Sequence, residues 1–123
     1  MTDDAARPAE AARERLGAAL KAAMKARDQV TVAVARSLLS ALDNRSAVPL
    51  ADHPASIFVA SAETARHDPT QAEIAQVFDA EAAEREAAAA DYDRRGLSAE
   101  AARLRAEIAI IAQLRSGSPA GGG

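Results

Sequence analysis

The chain has 123 residues and 12.7 kDa, a one-domain length, and no cysteine, which excludes disulfides, thiol nucleophiles and thiolate metal sites. Charged residues make up 27% and the net charge is -3 with a pI near 5.4, a balance unlike that of a dedicated nucleic-acid binder, although it leaves room for a local basic face. Hydrophobic residues reach 49%, but most are alanine and the only aromatics are Phe58, Phe78 and Tyr92, so at roughly 25 cal/mol per Å² of buried apolar area the core is thin. Thin cores suit closely packed helices, and they leave open a marginal monomer, a partner surface or a second copy of the chain.

Residues 1–8, acidic and polar in "MTDDAARP", are expected to be disordered and do not resemble a signal peptide. Pro8 suits the first turn of a helix, because its missing N–H has no intrahelical partner there. Ala12, Leu16, Leu20 and Met24, with Ala19 and Ala23, then recur at helical spacing and predict a helix over 9–26. Arg13, Arg15, Lys21 and Lys25 lie largely on its other faces. In "KAAMKARDQV" the apolar phase breaks at Asp28, a favoured N-cap residue. It restarts as Val30, Val34, Leu38 and Ala41/Leu42, widened by Ala35 and Leu39, which predicts a second helix over 29–44. So short a joint makes the two helices antiparallel neighbours.

Residues 45–69 hold Pro49, Pro54 and Pro69 and cannot be one helix; a long, partly ordered loop is expected. Asp68 as N-cap, Pro69 at the first helical position and Gln71 three residues on predict the start of a third helix. Ile74, Val77 and Phe78 give its early apolar face, and Gly96 is placed to end it in the left-handed conformation. Ser98 is expected to cap a fourth helix, whose Ala101, Leu104, Ile108 and Ile111 follow the 3-4-3 spacing of a hairpin seam. Residues 116–123 read as a flexible tail. The fold expected is all-α: two antiparallel helical hairpins forming a four-helix bundle, in one domain over 9–115. No apolar run approaches the ~20 residues of a membrane span.

The chemistry visible in the sequence is sparse. His53 and His67 both sit beside prolines in the loop, and no Glu-x-x-His pair of the di-iron type occurs. No metal site, cofactor or catalytic set is expected. Glu81 and Arg85 are four apart in the orientation that supports a helix, and Glu100–Arg103 and Arg103–Glu107 repeat the theme. Arg36, inside the apolar stretch "VAVARSLLSAL", is expected at the edge of the buried face. There it would pair with Glu81, with Arg85 close by, and fix the register of the hairpins. Lys21, Lys25 and Arg27 end the first helix, where cations answer the helix dipole. With Arg45, and with Arg94 and Arg95 at the end of the third helix, they are also the candidates for a phosphate- or partner-contacting surface.

Several of these pieces together resemble a known family. The "AMKA-x-D" joint is Ala23–Asp28, the "R-x-LL-x-A" second helix ending near Asn is Arg36–Asn44, and the "E-x-x-x-R" third helix is Glu81–Arg85. The "Y-x-x-x-G" turn is Tyr92–Gly96, and Leu104–Leu114 belongs to a Glu-containing fourth helix. This set, over about two-thirds of the chain, resembles the YqeY-like family, related to the C-terminal part of the GatB subunit of aspartyl/glutamyl-tRNA amidotransferase. Ala35 stands where the family has leucine, "NRSAVP" is similar to the actinobacterial-type loop, and the second small helical domain of the family is missing. The resemblance implies the helical fold and a cytoplasmic, non-catalytic binding module that docks on tRNA or on a protein of the tRNA-charging machinery. The alternative is a protein–protein or homo-oligomerisation module with no nucleic-acid role.

Overall fold

A computed structural model describes residues 7–47 and 67–116. They form four helices: α1 (Pro8–Ala26), α2 (Gln29–Ser46), α3 (Gln71–Arg94) and α4 (Ser98–Ser116). The expected loop over 45–69 starts later than expected and ends one residue later, since α3 opens only at Gln71. Helix α2 continues through Arg45 and Ser46, and residues 48–66 lie outside the described residues, as do 1–6 and 117–123.

Helices α1 and α2 make one antiparallel hairpin, α3 and α4 the other, and α2 packs on both helices of the second. At the far end of the first hairpin, Arg13 Nη2 donates to Ser46 Oγ at 2.7 Å, while Ser46 Oγ donates to the Leu42 carbonyl at 3.2 Å. Ser46 is the one buried polar residue among those described, and these two bonds satisfy it. Arg45 bonds to Gln76, and the His67 N–H donates to the Ser46 carbonyl at 2.7 Å. The start of α3 therefore lies beside the end of α2. The helices run up, down, up, down, and both tight joints fall at the same end of the bundle.

The core is Leu16, Val34, Leu38, Leu42, Phe78 and Ile111, completed by fully covered alanines such as Ala9, Ala12 and Ala89. Small side chains let helix axes approach toward the close end of the usual 8–10 Å range, which is how a chain so poor in large apolar residues closes its interior. Met24 and Val30, expected on the inner stripes, are exposed instead. Both sit beside the first joint.

The two joints are built alike. In the first, Arg27 has φ 60° and ψ 33°, its N–H donates to the Met24 carbonyl at 3.2 Å, and the Asp28 N–H donates to the Ala23 carbonyl at 2.9 Å. In the second, Gly96 has φ 77°, its N–H donates to the Asp93 carbonyl at 3.0 Å, and the Leu97 N–H donates to the Tyr92 carbonyl at 2.9 Å. Each is a Schellman ending, with one residue in the left-handed conformation. Arginine holds that conformation at the first joint because Asp28 immediately opens the next helix. The Asp28 carboxylate accepts from the Thr31 N–H at 3.2 Å and from the Thr31 hydroxyl at 2.7 Å. A single aspartate thus closes α1 with its backbone and opens α2 with its side chain.

The start of α3 differs from expectation. Thr70, not Asp68, is the N-cap: its hydroxyl accepts from the Glu73 N–H at 3.1 Å, and Glu73 accepts from the Thr70 N–H at 2.9 Å. This reciprocal box satisfies two end groups at once. Pro69 is buried ahead of the helix rather than at its first position. At α4, Ser98 is the first helical residue rather than a cap outside it.

Candidate functional site

Two groups of polar side chains distinguish themselves in the bundle. The first lies between the hairpins. Arg85 of α3 donates from Nε to Glu107 of α4 at 2.8 Å, from Nη1 to the Glu81 carboxylate at 2.9 Å and to the Glu81 carbonyl at 3.0 Å, and from Nη2 to Ser37 of α2 at 3.3 Å. Ser37 donates onward to Glu81 at 3.2 Å. The three charged side chains keep only 14–22% of their exposure. Burial works against the Arg85 charge, and the hydrogen bonds from Glu107 and Glu81 more than offset it, so the guanidinium is held above its ordinary pKa.

Arg36 is not part of this group. It is exposed, has no ion-pair partner among the described residues, and lies about 100° round α2 from Ser37, which takes the inner place. The expected Arg36–Glu81 pair is therefore replaced by Ser37–Glu81, while Glu81 and Arg85 do meet. Glu107, which the local spacing assigns to Arg103, reaches across to Arg85; Arg103 pairs with Glu100 at 2.9 Å. An open depression of about 340 Å³ lies over the cluster, bordered by Glu84, Ala88 and Leu104. Ser37, Glu81, Arg85 and Glu107 are engaged with one another, and among the described residues no histidine stands beside Ser37 to act as a base. Among the described residues no group of three or more metal-ligating side chains occurs. His67 lies 2.8 Å from Glu73, and His53 falls outside the described residues.

The second group is cationic. From Pro8 to Ser46 the first hairpin carries seven basic and four acidic side chains, net +3; from Gln71 to Ser116 the second carries six and nine, net -3. Pairing is divided the same way. Every arginine of the second hairpin is in an ion pair: Arg85, Arg103, Arg115 with Asp79, and Arg94 and Arg95 both with Asp91. The last is Arg105, whose bonds to Glu86 and to Asp93 hold its charge well above the ordinary range, with Glu86 lowered in turn. In the first hairpin Arg15, Lys21, Lys25, Arg27 and Arg36 are all exposed, and none has a side-chain partner among the described residues.

Four of these five share a surface. At 100° per residue Lys21 and Lys25 lie on the side of α1 away from buried Leu16, and Arg36 on the side of α2 away from buried Leu38. The register set by Arg13–Ser46 at one end and the Arg27–Asp28 joint at the other brings Arg36 within about a turn of the level of Lys21. Between them the exposed Ala22, Gln29 and Ala33 are neutral and Asp28 is held by Thr31, while the acidic Glu14 and Asp43 lie about two turns beyond Lys21 and Arg36, at the far margin of this face. Arg15 stands apart, beside a groove between α1 and α3 at the opposite end.

The expected binding residues therefore separate into three places. Lys21, Lys25 and Arg27 lie together on the outer face of the first hairpin, joined by Arg36. Arg94 and Arg95 stand at the same end of the bundle but are tied to Asp91. Arg45 is at the other end, bonded to Gln76. Comparison of the chain with known protein families, with curated proteins and with solved structures returns no match. No helix among the described residues is long and apolar enough to cross a membrane.

Proposed function

We propose that this protein is a non-catalytic helical docking module that binds RNA through the outer face of its first hairpin, with Lys21, Lys25, Arg27 and Arg36 contacting phosphates. The observation that carries this is the division of charge: the cations of the second hairpin are all paired with neighbouring carboxylates, whereas five of the seven in the first are exposed and without side-chain partners among the described residues, the exceptions being Arg13, paired with Asp43, and Arg45, bonded to Gln76. Helix-dipole stabilisation explains Lys25 at the end of α1, but not Lys21 or Arg36, which stand away from any helix C-terminus. An overall net charge of -3 does not oppose this, because the first hairpin by itself carries +3; the second offsets it with -3, and the remaining -3 comes from residues outside the two hairpins.

The YqeY-like resemblance narrows the RNA to tRNA, in the cytoplasm, and supplies the neighbouring partner, the tRNA-charging or amidotransferase machinery. The second account, a protein–protein or self-associating module, draws on three exposed apolar side chains at the joint end, Met24, Val30 and Leu97. Filter binding to bulk tRNA separates the two. Lys21→Ala and Arg36→Ala should each weaken binding several-fold, and Arg94→Ala should leave it within twofold. Binding that responds equally to all three, or no binding at low salt, would remove the RNA function and leave the protein partner.

A further inference from the structure

The large hydrophobic residues exposed among those described are Met24 at 53%, Val30 at 38% and Leu97 at 44%. All three flank the tight joints, and both joints are at one end of the bundle. Tyr92 belongs to the same end: it is half-buried in the last turns of α3, and its carbonyl takes the Leu97 N–H in the second joint. The carboxylates there are engaged, Asp28 with Thr31, Asp91 with Arg94 and Arg95, and Asp93 with Arg105. Lys25 and Arg27 are not. The end thus presents exposed apolar side chains beside the unpaired cations Lys25 and Arg27, with the Asp28 carboxylate turned to Thr31 next to them and the outer cationic face adjoining.

Resting on the RNA function proposed above, we propose that this end binds the unstacked bases of a single-stranded RNA segment whose phosphates lie on Lys25 and Arg27. A duplex presents phosphates and sugars to a flat cationic face and has no use for exposed Met24 and Leu97. A single strand presents base faces, which cover apolar and aromatic side chains without regard to sequence while the backbone follows the cations. A second copy of this chain meeting end to end would bring Lys25 and Arg27 of each against the other's, so charge disfavours it.

The test compares a fluorescently labelled 12-nucleotide oligouridine with a blunt 12-base-pair RNA duplex. The chain has one tyrosine and no tryptophan, so its emission, corrected for RNA absorbance, reports Tyr92 alone. Oligouridine is expected to quench that emission. The double variant Met24→Ser/Leu97→Ser, both at exposed positions, is expected to lose about fivefold or more in oligouridine affinity, the order of one lost base contact, while the duplex binds within twofold of wild type. Unquenched emission with unchanged oligouridine affinity, while the duplex still binds the outer face, would overturn the base site alone and leave an acidic protein segment as the occupant. Failure of both RNAs to bind would overturn it together with the RNA function.

Discussion

Replacing Arg85 by methionine tests what holds the two hairpins in register. The substitution keeps the apolar stem but removes a guanidinium that makes four hydrogen bonds and neutralises Glu81 and Glu107. Breaking a fully buried charge group by removing one partner costs about 3–5 kcal/mol. Here the side chains retain 14–22% exposure beneath an open depression, so solvent screening reduces this to about 2–3 kcal/mol. For a domain of this size that is a fall in Tm of roughly 10–20 °C. Glu107→Gln, which leaves Arg85 an acceptor and Glu81 a counter-charge, should cost less than half as much. Urea denaturation followed by circular dichroism at 222 nm measures all three. An Arg85→Met variant within about 0.5 kcal/mol of wild type at pH 7 would show that helix burial alone sets the register.

Arg27 holds a left-handed backbone that glycine adopts freely, so Arg27→Gly should stabilise the fold by about 0.5–1 kcal/mol, and Gly96→Ala, with φ 77°, should destabilise it by about 1 kcal/mol, both read by urea melts. Arg36→Met should melt within about 0.5 kcal/mol of wild type because Arg36 is exposed and unpaired, yet bind RNA more weakly. The Asp28 carboxyl is held below the usual range by the Thr31 hydroxyl and then the Thr31 N–H, and that of Glu73 by the Thr70 N–H and then His67. Their contribution is complete above the ordinary carboxylate pKa, near 4, and is lost as pH falls through the lowered folded values, because the unfolded chain binds those protons first. Urea midpoints measured from pH 7 down to pH 3 should therefore decline at the acid end; midpoints that hold level would contradict it.

The hairpins were legible in the sequence because each boundary carries a local signal: Asp28 with a restarted apolar phase, and Gly96 after Tyr92. The start of α3 was less so, since Asp68-Pro69 and Thr70-Glu73 are both sound helix beginnings, and only the second satisfies two end groups reciprocally. Arg36 and Ser37 are adjacent at the rim of the α2 stripe. A rotation of one residue exchanges them, and that rotation is fixed by packing against α3 and α4, which no local pattern encodes. Glu107 was misassigned for the same reason, because its partner is 22 residues away on the other helix of its hairpin. The cationic face was half visible: Lys21, Lys25 and Arg27 stand out, but that the other arginines are neutralised depends on pairs such as Arg115–Asp79 and Arg105–Glu86, made only in the folded bundle.

The RNA function is tested most directly by the salt dependence of tRNA binding. Four phosphate contacts predict a slope of about -3.6 in log affinity against log salt, a loss of roughly 150-fold between 50 and 200 mM. Removing Lys21 or Arg36 should reduce that slope by about one. Binding with such a slope, lowered by each substitution, is the result expected. Binding that ignores salt, or a slope unchanged in both variants, would contradict an outer face built for phosphates.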